Sequence, residues 1–284
     1  MMNLLRTTTV ACSISLFCLA PPLAAEKPVQ APLPDLRQLM TEVEAHQKQL
    51  EKVRENYTFN AQVVTQEFDS NQQVKKTETL EFERFFVNGN QIGRKIKKDG
   101  KPLDEPEQQK ETERITREVE KAQTPSGEKK MEENNFSLMR LLDVVEVGQA
   151  RRENFRERPT IVCEFVGRKN AKARGIREDA FKKMRGTIWI DEEDHEVTRL
   201  EATFYDNFQI GFGLLARIQK GTRMNFDQAK INGEIWLPTT LEAVFDARLL
   251  FKGIHAHIVE HDSNFQRFHV ETQQLKDTIS EKKS

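Results

Sequence analysis

Alternation of apolar and polar residues through the second half of the chain is the feature that most constrains its fold. Segments of this kind recur from Phe155 onward, and turn-forming pairs such as Lys220-Gly221 and Asn232-Gly233 separate them. After residues 236–238 (Trp-Leu-Pro), every second position of one long segment is apolar: Leu241, Ala243, Phe245, Ala247 and Leu249. A period of two places such residues on one face of a strand. The pattern therefore predicts a long antiparallel sheet with one apolar face.

Helical patterns are concentrated in the first half of the chain. A helix is predicted to begin at Asp35, because five apolar residues form one stripe at helical spacing: Leu36, Met40, Val43, Leu50 and Val53. A second, strongly apolar helix is predicted over residues 136–145. Between the two helices, alternation around Phe59 and Phe82 predicts a meander of strands. Helices in the first half and strands in the second predict an α+β fold, in which the sheet curls around a core and a helix closes its open side.

The first 25 residues have the pattern of a cleavable signal peptide. Arg6 precedes an apolar run over residues 10–20, and small residues follow up to Ala25. The run is shorter than the roughly 20 residues that span a bilayer. A buried N-terminal helix is one alternative, and a lipid-modified Cys12 or Cys18 is another. We expect export to the periplasm with cleavage near Ala25, followed by a proline-rich spacer over residues 26–34.

Charge and cysteine content limit the partners and the chemistry of the exported chain. Without Arg6 it has 43 basic and 45 acidic residues. This near balance argues against nucleic acid as a partner, since phosphate binding requires a basic excess. Cys163 is the one cysteine after the signal segment, so no intramolecular disulfide is expected. Its apolar neighbours Val162 and Phe165 favour an inert, buried thiol.

Residues 99–133 are dense in charge and have only a thin apolar stripe: Ile115, Val119 and Ala122. The pattern predicts a charged helical insertion, either a solvated surface helix followed by a loop or a mobile lid over a cavity. We expect the insertion to belong to a single domain over residues 35–275. A charged tail, residues 276–284, follows it.

Three short motifs carry a resemblance to a known family. They are the strand over residues 57–68, the hairpin that begins at residues 186–191 and continues through residues 197–201, and residues 235–238. With the export signal and the striped helix, these resemble the LolA/LolB-like periplasmic lipoprotein-carrier superfamily, which includes periplasmic sensor domains that bind anti-sigma factors. The resemblance implies an unclosed half-barrel covered by helices, whose apolar concave face holds acyl chains. It also implies a role without catalysis or cofactors.

Two groups of residues are the candidate contact sites. The first lies on the apolar phases of the strands and would line an acyl-binding groove, or else fill a closed core: Phe59, Phe82, Phe86, Leu200, Phe204, Leu241 and Phe245. The second is an apolar turn that would contact a membrane or a partner, or else pack under the sheet: Phe212, Leu214 and Leu215.

Signals for metal binding and catalysis are weak. His255, His257 and His261 share a strand face, but Ala256 and Ile258 take the core phase, so the histidines are expected to face water. The acidic turn over residues 191–194 is predicted to be solvated and not a calcium loop.

No nucleophile elbow, zinc-protease motif or phosphate loop is present, although a hydrolytic carboxylate pair stays open. The preferred hypothesis is a non-enzymatic periplasmic protein that binds a lipid or lipoprotein acyl chain, possessing neither metal nor cofactor and serving in outer-membrane lipoprotein sorting. The alternative is a sensor domain that binds a periplasmic or membrane protein.

Overall fold

The structure, a computed structural model, describes residues 32–124, 138–211, 215–250 and 252–268. The predicted signal peptide, most of the spacer and the charged tail lie outside these residues, as do the last residues of the charged insertion. In the described part of the chain, no helix is long and apolar enough to cross a membrane.

Four helices occur among the described residues: α1 (Leu36–Arg54), α2 (Glu105–Ala122), α3 (Leu138–Val144) and α4 (Ile176–Phe181). The predicted start of α1 is confirmed, because the Asp35 side chain accepts a hydrogen bond from the Gln38 backbone N–H at 3.0 Å. A capping box formed by Asp104 and Glu107 fixes the start of α2. These caps satisfy N–H groups that have no partner within the helix.

Fourteen strands in the described residues form a single sheet. The strands before α3 are β1 (Tyr57–Phe68), β2 (Val74–Val87), β3 (Asn90–Lys98) and β4 (Lys101–Pro102). Those between α3 and the β8–β9 hairpin are β5 (Val145–Val147), β6 (Arg151–Phe155) and β7 (Arg158–Gly167). The remaining strands are β8 (Met184–Asp191), β9 (Glu196–Phe204), β10 (Phe208–Ile210), β11 (Ala216–Ile218), β12 (Arg223–Ile231), β13 (Ile235–Leu249) and β14 (Lys252–Arg267).

The strand order is β4-β3-β2-β1-β14-β13-β12-β9-β8-β7-β5, and all pairs are antiparallel. Strand β6 pairs with β7, and the short hairpin β10–β11 joins the sheet through β13. The terminal strands β4 and β5 do not pair with each other in the described residues, so the sheet is not closed. The predicted α+β fold, an unclosed antiparallel half-barrel covered by helices, is confirmed.

Helix α1 packs on one face of the sheet, here called the inner face, and contributes to two apolar clusters. Its first half places Leu39, Met40 and Val43 against α3 and against strands β7 to β9. Its second half places Leu50 and Val53 near Tyr57 and Leu237. One helical stripe thus covers two separate parts of the inner face, because its residues recur at helical spacing along five turns.

Helix α2 lies at the opposite edge of the sheet, against β3. The buried Glu111 accepts the Lys95 backbone N–H at 2.6 Å, and Arg114 donates to the Gly93 carbonyl at 2.5 Å. Arg114 also pairs with Glu111, which lowers the pKa of Glu111. The charged insertion therefore contains a helix whose charged side chains satisfy backbone groups of an edge strand.

Candidate functional site

All seven predicted groove residues lie on the inner face. Directly opposed residues of antiparallel strands point to the same side of a sheet. The register opposes Leu80 to Val63, Val63 to Glu260, Glu260 to Leu241, Leu241 to Phe226 and Phe226 to Leu200. The other predicted residues keep this phase along their strands: Phe59, Phe82, Phe86, Phe204 and Phe245.

The seven residues differ in how deeply they are buried. Phe59 and Phe204 are buried, and the Phe59 ring contacts the rings of Phe86 and Phe265. The other five are half-buried: Phe82, Phe86, Leu200, Leu241 and Phe245. Phe86 packs on the cluster under the second half of α1, and Leu200 on the cluster under its first half.

A strip of half-buried apolar side chains runs between these two covered regions, and we call it the inner groove. Its members are Val63, Leu80, Phe82, Leu200, Met224, Phe226, Leu241, Phe245 and Ile258. Alanines alternate with them and are almost fully buried: Ala61, Ala202, Ala243 and Ala256. Small buried residues thus alternate with larger ones that keep part of their apolar surface exposed.

A charged cluster interrupts the inner groove at one point. Arg84 forms an ion pair with Glu260 at 2.7 Å, and its guanidinium carbon lies 5.6 Å from the centre of the Phe82 ring. Asp262 opposes Ala61 on the same face. Burial, followed by the nearby charge of Glu260, raises the pKa of Asp262.

Two atoms of this cluster are buried without a hydrogen-bond partner in the described chain, Arg84 Nε and Asp262 Oδ1. Such atoms are costly to bury. The cluster thus supplies one donor and one acceptor beside an otherwise apolar strip. The sequence analysis missed it, although the charged residues in the apolar phase of β2 and β14 are a readable signal.

The predicted membrane or partner turn is only partly described. Phe212 and Leu214 lie outside the described residues. Leu215 is 55% exposed, and its carbonyl accepts a hydrogen bond from the Leu250 backbone N–H at 2.9 Å. It is therefore not packed under the sheet.

The histidines of β14 lie on the outer face of the sheet, each near a side chain of β13. His255 is 3.3 Å from Asp246, His257 is 2.8 Å from Glu242, and His261 is exposed. In the residues that the structure describes, no group of three histidine, cysteine or carboxylate side chains could hold a metal ion.

The prediction of a solvated acidic turn was wrong for Asp191, and Glu196, which follows the turn, is buried as well. Asp191 and Glu196 are fully buried. Arg158 pairs with Asp191, and the Glu196 side chain points to α1, where Gln47 donates to it at 3.3 Å. Burial raises the pKa of Glu196 to about 7. Acidic composition alone did not reveal these partners, because they come from distant parts of the chain.

A depression of about 370 Å³ lies apart from the inner groove, near α4 and β10. Its lining includes the Lys183–Asp206 ion pair, whose charged atoms are 2.9 Å apart. This polar lining is unsuited to an acyl chain.

An aromatic and cationic stack on the outer face also escaped the sequence analysis. The rings of Phe155 and Trp189 are 6.1 Å apart, and Arg199 lies over Trp189 at 5.6 Å. Arg156 covers Phe155, and both arginines pair with Asp227. The stacked rings and their charged partners come from four strands and a turn, so no local sequence pattern predicts them.

Comparisons with known proteins find likeness in structure and none in sequence. No protein-family model matches the chain, and no curated protein matches it significantly. Similar solved structures include an outer membrane lipoprotein-sorting protein domain from Vibrio parahaemolyticus, with a TM-score of 0.35 and 11% identity, covering 85% of this chain and 99% of that one.

A LolA superfamily protein from Nitrosomonas europaea has a TM-score of 0.35 and 11% identity, covering 82% of this chain and 96% of that one. A DUF1329 family protein from Desulfovibrio piger ATCC 29098 has a TM-score of 0.34 and 12% identity, covering 84% and 95%. Each of these structural likenesses is distant.

Proposed function

We propose that this protein is a non-enzymatic periplasmic binding protein that holds an acyl chain of a lipid or lipoprotein in its inner groove. The observation that supports the proposal is the strip of half-buried apolar side chains between the two regions covered by α1. The role in outer-membrane lipoprotein sorting that the sequence resemblance implies is part of the proposal.

The dimensions of the inner groove suit an acyl chain. From β2 to β9 the strip crosses five strand spacings, which at about 4.8 Å each give a path of about 24 Å. One leaflet of a bilayer holds acyl chains over about 15 Å, half of its hydrocarbon thickness. A single chain therefore fits along the strip.

Burial of an acyl chain provides enough free energy for binding. Each buried methylene contributes about 0.8 kcal/mol, so about ten methylenes contribute about 8 kcal/mol before the costs of association. The free donor Arg84 Nε and acceptor Asp262 Oδ1 would meet the polar end of the ligand. An ester or amide linkage to a headgroup offers matching atoms.

Ligand binding can be tested by native mass spectrometry of the exported protein, followed by titration with palmitate and with a synthetic lipopeptide that carries the same chain. We expect a co-purifying or added acyl ligand at one per protein. Leu241→Ser and Phe245→Ser should weaken binding at least tenfold, because each removes apolar area from the strip.

Phe155→Ser is the matched control, since it removes an aromatic ring from the outer face. It should bind palmitate as the unchanged protein does. The proposal fails if no acyl ligand binds, or if the groove variants and the control lose affinity equally while all remain folded.

A further inference from the structure

Two loops at one end of the sheet form an exposed apolar tip. Strand β11 pairs with β13, which opposes Ala216 to Leu249, and the Leu250 N–H bonds to the Leu215 carbonyl. Leu215, Leu249 and Leu250 are 55%, 53% and 54% exposed. Three leucines from two loops are thus held together by backbone hydrogen bonds with most of their apolar surface in water. We call these three residues the apolar tip.

The turn at Leu250 is built against local preference. Leu249 pairs with Lys252 across a two-residue turn, and Leu250 has a φ of +52°. Such turns favour asparagine, aspartate or glycine, because other side chains are strained at positive φ. An exposed leucine there is unfavourable for both backbone and solvation, and such departures concentrate at functional positions.

Basic residues predominate around the apolar tip, and the nearest acidic residue on its strands, Asp246, lies 3.3 Å from His255. Residues 215–221 and 247–253 contain four basic and no acidic residues: Arg217, Lys220, Arg248 and Lys252. Arg217 and Arg248 are directly opposed on β11 and β13, an arrangement that places like charges side by side. The whole chain, by contrast, has a formal net charge of −1.

The apolar tip is also continuous with the inner groove. Leu241, Ala243, Phe245, Ala247 and Leu249 occupy the inner-face positions of β13 in succession. The last of them belongs to the tip. An apolar path therefore leads along one strand from the groove to the exposed leucines.

From these observations we propose that the apolar tip docks the protein onto the surface of an anionic phospholipid bilayer, with its leucines in the interface and its basic residues near the headgroups. Apolar side chains and basic residues together are the combination that binds such surfaces, since acyl-region contacts and attraction to anionic lipids add. Docking here would bring the groove side of β13 towards the lipid. The docking proposal does not require an acyl ligand to be bound in the inner groove.

Flotation with lipid vesicles tests the docking of the exported protein, purified after processing by the expression host. The probes are vesicles of phosphatidylethanolamine with phosphatidylglycerol, and vesicles of phosphatidylcholine alone. We expect co-flotation with the anionic vesicles, at least tenfold weaker binding to the neutral ones, and a decrease as salt is raised.

The decisive variant is Leu249→Ser with Leu250→Asn. Asparagine suits positive φ, so this variant should fold at least as stably as the unchanged protein. We expect it to lose binding at least tenfold. Ile176→Ser is the matched control, because Ile176 is 62% exposed on α4, and it should bind anionic vesicles normally.

A Leu250→Trp variant reports insertion directly, through quenching of its fluorescence by brominated lipids. No flotation of the unchanged protein, equal flotation of the double variant, or an unquenched tryptophan on bound vesicles would each overturn the proposal. Palmitate titration of the double variant distinguishes the two proposals. If the inner groove does not bind acyl chains, palmitate will not bind, whether or not the apolar tip docks onto vesicles.

Discussion

Replacing Glu196 by glutamine should stabilise the protein in a way that depends on pH. The side chain is fully buried, and Arg54 lies 3.7 Å from its Oε1 atom. In the described chain, Oε1 accepts no hydrogen bond. Burial outweighs the attraction of Arg54 and raises the pKa of Glu196 from 4.5 to about 7. The folded protein therefore holds a proton that the unfolded chain releases at lower pH.

The sign and the size of the effect follow from this difference in pKa. Below pH 4.5 Glu196 is protonated in both the folded and the unfolded state, so its burial carries no charge penalty. As pH rises from 4.5 through 7, the unfolded chain is favoured because it can ionise Glu196 in water, and stability is lost. A shift of about 2.5 units at about 1.4 kcal/mol per unit gives a penalty of about 3 kcal/mol in alkaline solution. Glutamine has no charge to bury, so Glu196→Gln escapes this penalty.

Urea unfolding, followed by tryptophan fluorescence between pH 5 and pH 9, measures the effect. The difference in unfolding free energy between variant and unchanged protein should grow by about 3 kcal/mol over this range. With an m-value of about 3 kcal/mol per molar, the urea midpoints should separate by about 1 M. Glu146→Gln, at an exposed strand position, is the control and should show no such trend. If the difference in unfolding free energy stays constant with pH, Glu196 does not have the raised pKa on which this prediction is based.

Two further predictions concern α2 and the core. The double variant Glu111→Ala with Arg114→Ala should destabilise the protein by about 2–3 kcal/mol, because the Lys95 N–H and the Gly93 carbonyl on β3 lose their hydrogen-bond partners. The exposed edge should also cause self-association, which analytical ultracentrifugation would detect. Arg117→Ala, on the exposed side of α2, is the control and should have neither effect. Cys163 is fully buried, and burial raises the pKa of its thiol to about 11. The thiol should therefore resist thiol reagents in native buffer and react rapidly in denaturant. Rapid labelling of the native protein would contradict its burial.

Local features of the fold could be predicted from the sequence, and long-range ones could not. The cap at Asp35, the apolar stripe of α1 and the turn at Asn232 depend on neighbours within a few residues. The pairing of β1 with β14 depends on residues about 200 positions apart. The short helix α4 and the hairpin β10–β11 have too few residues to show a period.

The candidate site follows the same division. Alternation placed Phe82, Leu241 and Phe245 on one face correctly, because a period of two is read along a single strand. How much of each side chain the helices cover depends on the path of α1. Leu250 was missed for a different reason: its turn contains none of the residues by which such turns are recognised.

Helix α2 also determines how deletion experiments on this protein must be interpreted. Glu111 and Arg114 hydrogen-bond to the Lys95 N–H and the Gly93 carbonyl, as a neighbouring strand would. The helix therefore blocks the addition of another strand at this edge. Removing residues 99–133 would vacate that position and create a receptor for any extended peptide. A partner captured only by the shortened protein would therefore be an artefact of the vacancy. Point variants that keep α2 in place are the sound way to search for the partners of this protein.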